Sequence, residues 1–109
     1  MNTKLPGHIL EDGAMSASIS RVIIDLQGAQ WFSIEAQSAS ATHAGTFTVE
    51  VSNSGSNWHT YTTKTVSAGS AFSEFIDNIR TCAKLMGISY TRSSGTGTLN
   101  VYVHPKRRN

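Results

Sequence analysis

Residues 46–51 read Thr-Phe-Thr-Val-Glu-Val, and the alternation is unbroken: Phe47, Val49 and Val51 fall on one side of an extended backbone, Thr46, Thr48 and Glu50 on the other. This is the period of a strand with one buried face and one wet face. It returns in Leu99-Asn100-Val101-Tyr102-Val103, where the odd positions are apolar, and Ile88 and Tyr90 supply a matching stripe upstream. Between these runs lies Ser93-Ser94-Gly95-Thr96-Gly97, whose glycines take positive φ without steric cost, so residues 88–103 are expected to form a hairpin. Two further strands are expected at 20–26 and 30–36, parted by Gly28; in the second, Phe32 and Ile34 share a face opposite Trp31 and Glu35. The small, polar residues 38–45 predict a loop and 52–57 a turn, with a strand resuming at Trp58 to Thr62.

Two segments lack this period. From Ser70 to Met86, the residues Phe72, Phe75, Ile76, Ile79, Cys82, Ala83 and Met86 recur at helical spacing. The same stretch also divides into a strand over 72–76, a turn at Asp77-Asn78 and a strand entering 84–91, and the strand division is preferred. Residues 1–18 mix Pro6, Gly7, Gly13 and charges without a sustained period, which predicts an extended N-terminal arm ahead of a β-sandwich domain over 19–109. The arm's apolar residues Leu5, Ile9, Leu10 and Met15 are candidate interface positions, expected to order against a neighbouring copy and to make the protein a homo-oligomer. Its removal is accordingly expected to leave the sandwich folded. Strands separated by turn clusters predict an all-β fold, an antiparallel, jelly-roll-like β-sandwich. The alternative is an α+β domain with a helix at about 70–86.

At 109 residues the chain makes one domain, without room for a separate catalytic unit. Its net charge of +2, with 15% charged residues, falls short of the field that duplex nucleic acid binding uses. No apolar run is long enough to span a bilayer and the first seven residues lack the apolar core of a secretory signal, so no membrane association and synthesis in a cytoplasm are expected. The single cysteine, Cys82, has no partner for a disulfide within the chain and reads as a buried, inert thiol.

Catalytic chemistry is not advertised. His8, His43, His59 and His104 are scattered singly, without the spacing of metal ligands, and the acidic residues show no pairing that implies acid/base work. Gly95-Thr96-Gly97 lies between strands and lacks the Lys-Ser/Thr ending of a phosphate loop. The chain therefore reads as a protein that is not an enzyme and that has no metal or other cofactor. Three groups of residues remain as candidates for contact with partners. Trp31 and Tyr102 alternate away from the apolar stripes and are candidate interface anchors. Trp31, Trp58 and Tyr61 are candidate sugar-stacking rings, with Trp58 also read as a plug at one end of the core. The basic ending Lys106-Arg107-Arg108 is a candidate contact for nucleic acid or an acidic protein face, and reads first as a solvated end.

Trp31-Phe32-Ser33-Ile34, Gly45 to Asn53, Asn57-Trp58 and Ile88 to Leu99 together resemble a family of small β-sandwich structural proteins of tailed bacteriophages. The likeness covers roughly residues 20–107, and its most specific part is Tyr90-Thr91-Arg92-Ser93-Ser94-Gly95-Thr96-Gly97-Thr98-Leu99 with Lys106-Arg107 ending the last strand. The chain departs from it at Gly87, where such proteins often carry an arginine. The resemblance implies a virion protein assembled in the host cytoplasm, a capsid decoration or minor head or tail component whose partners are major capsid, tail or neck proteins. A looser likeness, in Val49-x-x-Ser52-x-x-Gly55-x-x-Trp58, is to discoidin-type carbohydrate-binding modules, and implies a sugar-binding or host-recognition module instead.

Overall fold

Among the described residues nine strands are formed: β1 Thr3–Lys4, β2 Gly7–Ala14, β3 Ile19–Asp25, β4 Trp31–Ala39, β5 Ala44–Ser52, β6 His59–Val66, β7 Ser73–Arg80, β8 Leu85–Ser94 and β9 Thr98–Lys106. They belong to a computed structural model that describes residues 3–27, 29–39, 43–67, 73–81 and 83–106. The strands make a five-stranded sheet in the order β1-β3-β8-β5-β6 and a four-stranded sheet in the order β2-β9-β4-β7. All neighbours are antiparallel except β1 and β3. Without β1, the orders 3-8-5-6 and 2-9-4-7 are those of a jelly roll, in which chain-adjacent strands alternate between sheets. Of the connections between these strands, β5 to β6 alone stays within one sheet.

The alternating residues meet between the layers. Phe47 and Val49 of β5, Ile88 and Tyr90 of β8, Phe32 and Ile34 of β4, and Leu99, Val101 and Val103 of β9 are all buried in one core. The period slips at the end of β5, where Val51 is half-buried and Ser52 turns inward, its Oγ accepting the Gly55 amide at 2.9 Å.

Residues 88–103 do not form a hairpin. β8 pairs with β3 and β5 in one sheet, β9 with β2 and β4 in the other, so the segment arches over the end of the core. Each strand turns its apolar stripe toward the other, which buries both; a hydrogen-bonded hairpin would set them side by side. Gly95, at φ 76°, makes the corner, and its carbonyl accepts Arg92 Nε at 2.9 Å.

Residues 3–18 are not set apart from the sandwich. β2 is the edge partner of β9, β1 covers part of β3, and Ile9 and Met15 are fully buried in the core. Met15 N also donates to Gly97 O at 2.9 Å, tying the end of β2 to the arch. The groove that these apolar residues fill is therefore the chain's own. The α+β alternative is likewise corrected: among the described residues 73–81 and 83–86 there is no helix, and Ser73–Arg80 is a strand. Its backbone runs through Asp77-Asn78, and the reversal comes after Arg80. The neighbouring register, Phe32↔Ile79 and then Ile34↔Ile76, leaves two β7 residues opposite Ser33. This bulge turns Ile76 and Ile79 to the same side and so imitates helical spacing. Phe72 and Cys82 lie outside the described residues.

Candidate functional site

The alternation that fills the core also decides what the outer faces carry. On β4, with Phe32, Ile34 and Ala36 buried, Trp31, Ser33, Glu35 and Gln37 point out of the four-stranded sheet. The register then sets a row across all four strands: His8 lies opposite Tyr102, Tyr102 opposite Glu35, and Glu35 opposite Phe75. Phe75 is 62% exposed and Tyr102 40%, two of the most exposed large apolar side chains.

This row is ordered by its neighbours. The His8 ring stacks on Tyr102 with centroids 4.1 Å apart and planes at 17°. Because His8 occupies the β2 side of that ring, the other face of Tyr102 looks over β4 toward Glu35. His8 Nε2 donates to Asn100 Oδ1 at 3.1 Å, and Asn100 is itself clasped to Asp12, accepting from its amide at 3.0 Å and donating to its carboxylate at 3.2 Å. Asp12 stands at φ 48° where β2 slips register against β9, the bulge that brings its backbone to Asn100. On β4, Gln37 Nε2 donates to Glu35 Oε2 at 2.9 Å, which fixes the carboxylate by a neighbour on its own strand. At the end of the same face Arg80 lies over the Trp31 ring, 5.4 Å from its centroid.

The outer face of the five-stranded sheet is organised differently. Glu50, Gly87 and Ile23 lie side by side on β5, β8 and β3. Over Gly87 sit the methylenes of Arg21 and the edge of Trp58, so close that a β-carbon there would come within 2.7 Å of Arg21 Cδ and 3.0 Å of Trp58 Cζ3. The Arg21 guanidinium lies 4.4 Å from the Trp58 ring centroid and grips both Glu50 oxygens, at 3.0 and 3.3 Å. Gly87 thus makes room for an arginine supplied by β3. Trp58 is half-buried on this outer face, with Nε1 donating to Gly55 O at 3.2 Å; it does not plug the core.

The residues singled out from the sequence are therefore dispersed. Ile9 and Met15 belong to the core, Leu10 packs half-buried against it, and Leu5 is exposed at the bend between β1 and β2. Trp31 and Tyr102 share the outer face of the four-stranded sheet. Trp31, Trp58 and Tyr61 do not form one platform: Trp31 is on the four-stranded sheet, whereas Trp58 and Tyr61 belong to the five-stranded sheet and its edge strand β6. Lys106 ends β9 opposite Trp31; Arg107 and Arg108 lie outside the described residues. His43 is fully buried, its Nε2 2.8 Å from Ser38 Oγ. Among the described residues no group of three His, Cys, Asp or Glu side chains is placed to hold a metal ion.

Three residues of the row are not among the candidates from the sequence: His8 is one of four scattered histidines, Phe75 falls in the segment with helical spacing, and Glu35 lies on the side of β4 opposite Phe32 and Ile34 without a role. The available signal was that Glu35 alternates with Phe32 and Ile34 on the strand that carries Trp31. No model of a known protein family matches the chain, and no curated protein matches it.

Proposed function

We propose that this protein is a non-enzymatic structural component of a bacteriophage virion, a capsid decoration or minor head or tail protein, that attaches to a repeated protein surface through the outer face of its four-stranded sheet. The observation that carries the reading is the exposure of Phe75 and Tyr102 on one face of the four-stranded sheet. A phenylalanine in water on a strand gains nothing for the isolated sandwich, whereas aromatic rings at low rotamer cost are the usual anchors of protein interfaces. The likeness of residues 20–107 to phage structural sandwiches supplies the setting. The jelly roll accords with it but serves unrelated functions elsewhere, so the face rather than the fold bears the argument.

The sugar-binding alternative is less well supported. Trp31 and Trp58 each already carry an arginine over the ring, and Trp31 stands on the other sheet from Trp58 and Tyr61. The test is sedimentation of purified protein with particles that lack it. The full chain is expected to co-sediment, and the double substitution Phe75→Ser, Tyr102→Ser to stay in the supernatant while keeping a cooperative melt. Absence of the protein from purified virions by mass spectrometry would remove the virion assignment.

A further inference from the structure

Between the Tyr102 ring and the Phe75 ring, the row holds one side chain, Glu35. Two strand spacings separate the aromatic positions, about 10 Å, which leaves a slot one flat group wide with a carboxylate on its floor. Tyr102 is backed by His8 on its β2 side and lies opposite Glu35 on its β4 side. Glu35 accepts from Gln37, and among the described residues no lysine or arginine pairs with it.

The surrounding charges favour a cation. Glu11 and Asp12 lie on the β2 side, where Glu11 faces only the His8 ring at 3.7 Å and Asp12 is held by Asn100. On the β7 side, Lys64 reaches Glu74 at 3.8 Å, and Arg80 is occupied over Trp31, some 13 Å along β4 from Glu35. The group at the centre of the slot only accepts hydrogen bonds, and the nearby amide nitrogens of Gln37 and Asn100 are already directed at carboxylates. A sugar hydroxyl needs acceptors and donors together, whereas a guanidinium only donates, is flat enough to stack on ring faces, and meets a carboxylate with two parallel bonds.

We propose that this slot receives an arginine side chain of the partner protein, stacked between Tyr102 and Phe75 and bonded to Glu35. The proposal rests on the docking reading above and names its central contact. Arg80 over Trp31 is the same kind of contact made within the chain.

The full chain, labelled with nitrogen-15, is titrated with N-acetylarginine amide, with its neutral isostere N-acetylcitrulline amide, and with methyl glucoside. Arginine amide is expected to shift the amides of Glu35, Phe75 and Tyr102 in a weak, saturable manner. Citrulline amide should bind about tenfold less tightly, and Glu35→Gln should weaken arginine binding by a similar factor. Phe75→Leu, which keeps the charge and removes the ring, is expected to lower the affinity without altering the rest of the spectrum. Equal binding of citrulline, unchanged binding by Glu35→Gln, no shift with arginine, or shifts at this row with glucoside alone would each overturn the slot. The titration needs no particle, so its failure is distinct from failure of the docking reading. Glu35→Gln protein that still co-sediments with particles as tightly as the parent would refute the arginine contact and leave docking intact.

Discussion

The two outer faces of this sandwich use aromatic residues in opposite ways. Over the five-stranded sheet, Trp58 is enclosed: it rests above Gly87, carries Arg21, and Arg21 is neutralised by Glu50. Over the four-stranded sheet, the Tyr102 and Phe75 rings flank a carboxylate that no described cation of the chain engages. One face completes its interactions internally, and the other stops short. An aromatic ring outside a core is therefore informative only when its neighbours are known, because the same residue type serves closure in one place and availability in another.

The largest effect that separates the faces is expected from deleting residues 1–18. The open face is built on β2, and Ile9 and Met15 are fully buried beneath it. Truncating such side chains costs about 2–5 kcal/mol each, against a total stability of about 5–15 kcal/mol. The truncated chain is expected to lose its cooperative thermal transition, and a melt like that of the full chain would show β2 to be dispensable. Gly87→Val comes next, since its side chain displaces Arg21 and Trp58; a loss of about 1–3 kcal/mol in urea unfolding is expected on the closed face.

A smaller effect concerns Tyr90, beneath the five-stranded sheet, whose hydroxyl donates to Ala44 O at 2.9 Å. Burial raises its pKa above the ordinary tyrosine value, with Arg92 opposing. The unfolded chain therefore loses this proton first as pH rises. The contribution is complete below the unfolded value of about 10 and declines above it, and Tyr90→Phe should flatten stability against pH in that alkaline window while costing about 1 kcal/mol at neutral pH. The smallest effect is expected on the open face, where Phe75→Ser should change stability by no more than about 0.5 kcal/mol. A loss as large as that at Gly87 would mean that Phe75 supports the fold, and the contrast between the faces would collapse.

Strands with unbroken alternation were legible in the sequence: β4, β5, β8 and β9 follow from Phe32, Ile34, Phe47, Val49, Ile88, Tyr90, Leu99, Val101 and Val103. Alternation does not say whether two successive strands lie side by side or face each other, so the arch at Gly95 was read as a hairpin. Strands are expected at 20–26 and from Trp58 to Thr62 as well, where β3 and β6 form, whereas bulges obscure β2 and the full course of β7. In β2 two register shifts and the turn of Asp12 to positive φ break the period between Ile9 and Met15. In β7 the bulge opposite Ser33 gives Ile76 and Ile79 a helical spacing; the preferred strand over 72–76 matches β7 in part, but its broken period does not say which face Phe75 takes. Of the open face, the outward direction of Trp31, Glu35 and Tyr102 was visible. Their assembly into a row with Phe75 and His8 depends on long-range register, which no local pattern encodes.

The alternation of chain-adjacent strands between sheets also governs how this chain reaches its native state. β2 has β9 as its strand partner, and His8 meets Tyr102 nearly the whole described chain away. During synthesis the second strand emerges long before the one it must pair with, and among the described strands β5-β6 is the sole pair that is both adjacent in sequence and hydrogen-bonded. Contacts so remote in sequence make folding slow, because chain entropy is lost before the pairing rewards it. The edge of β4 that β9 will cover stands open through that interval, with Phe32 and Ile34 uncovered, and self-association is a hazard of the nascent chain.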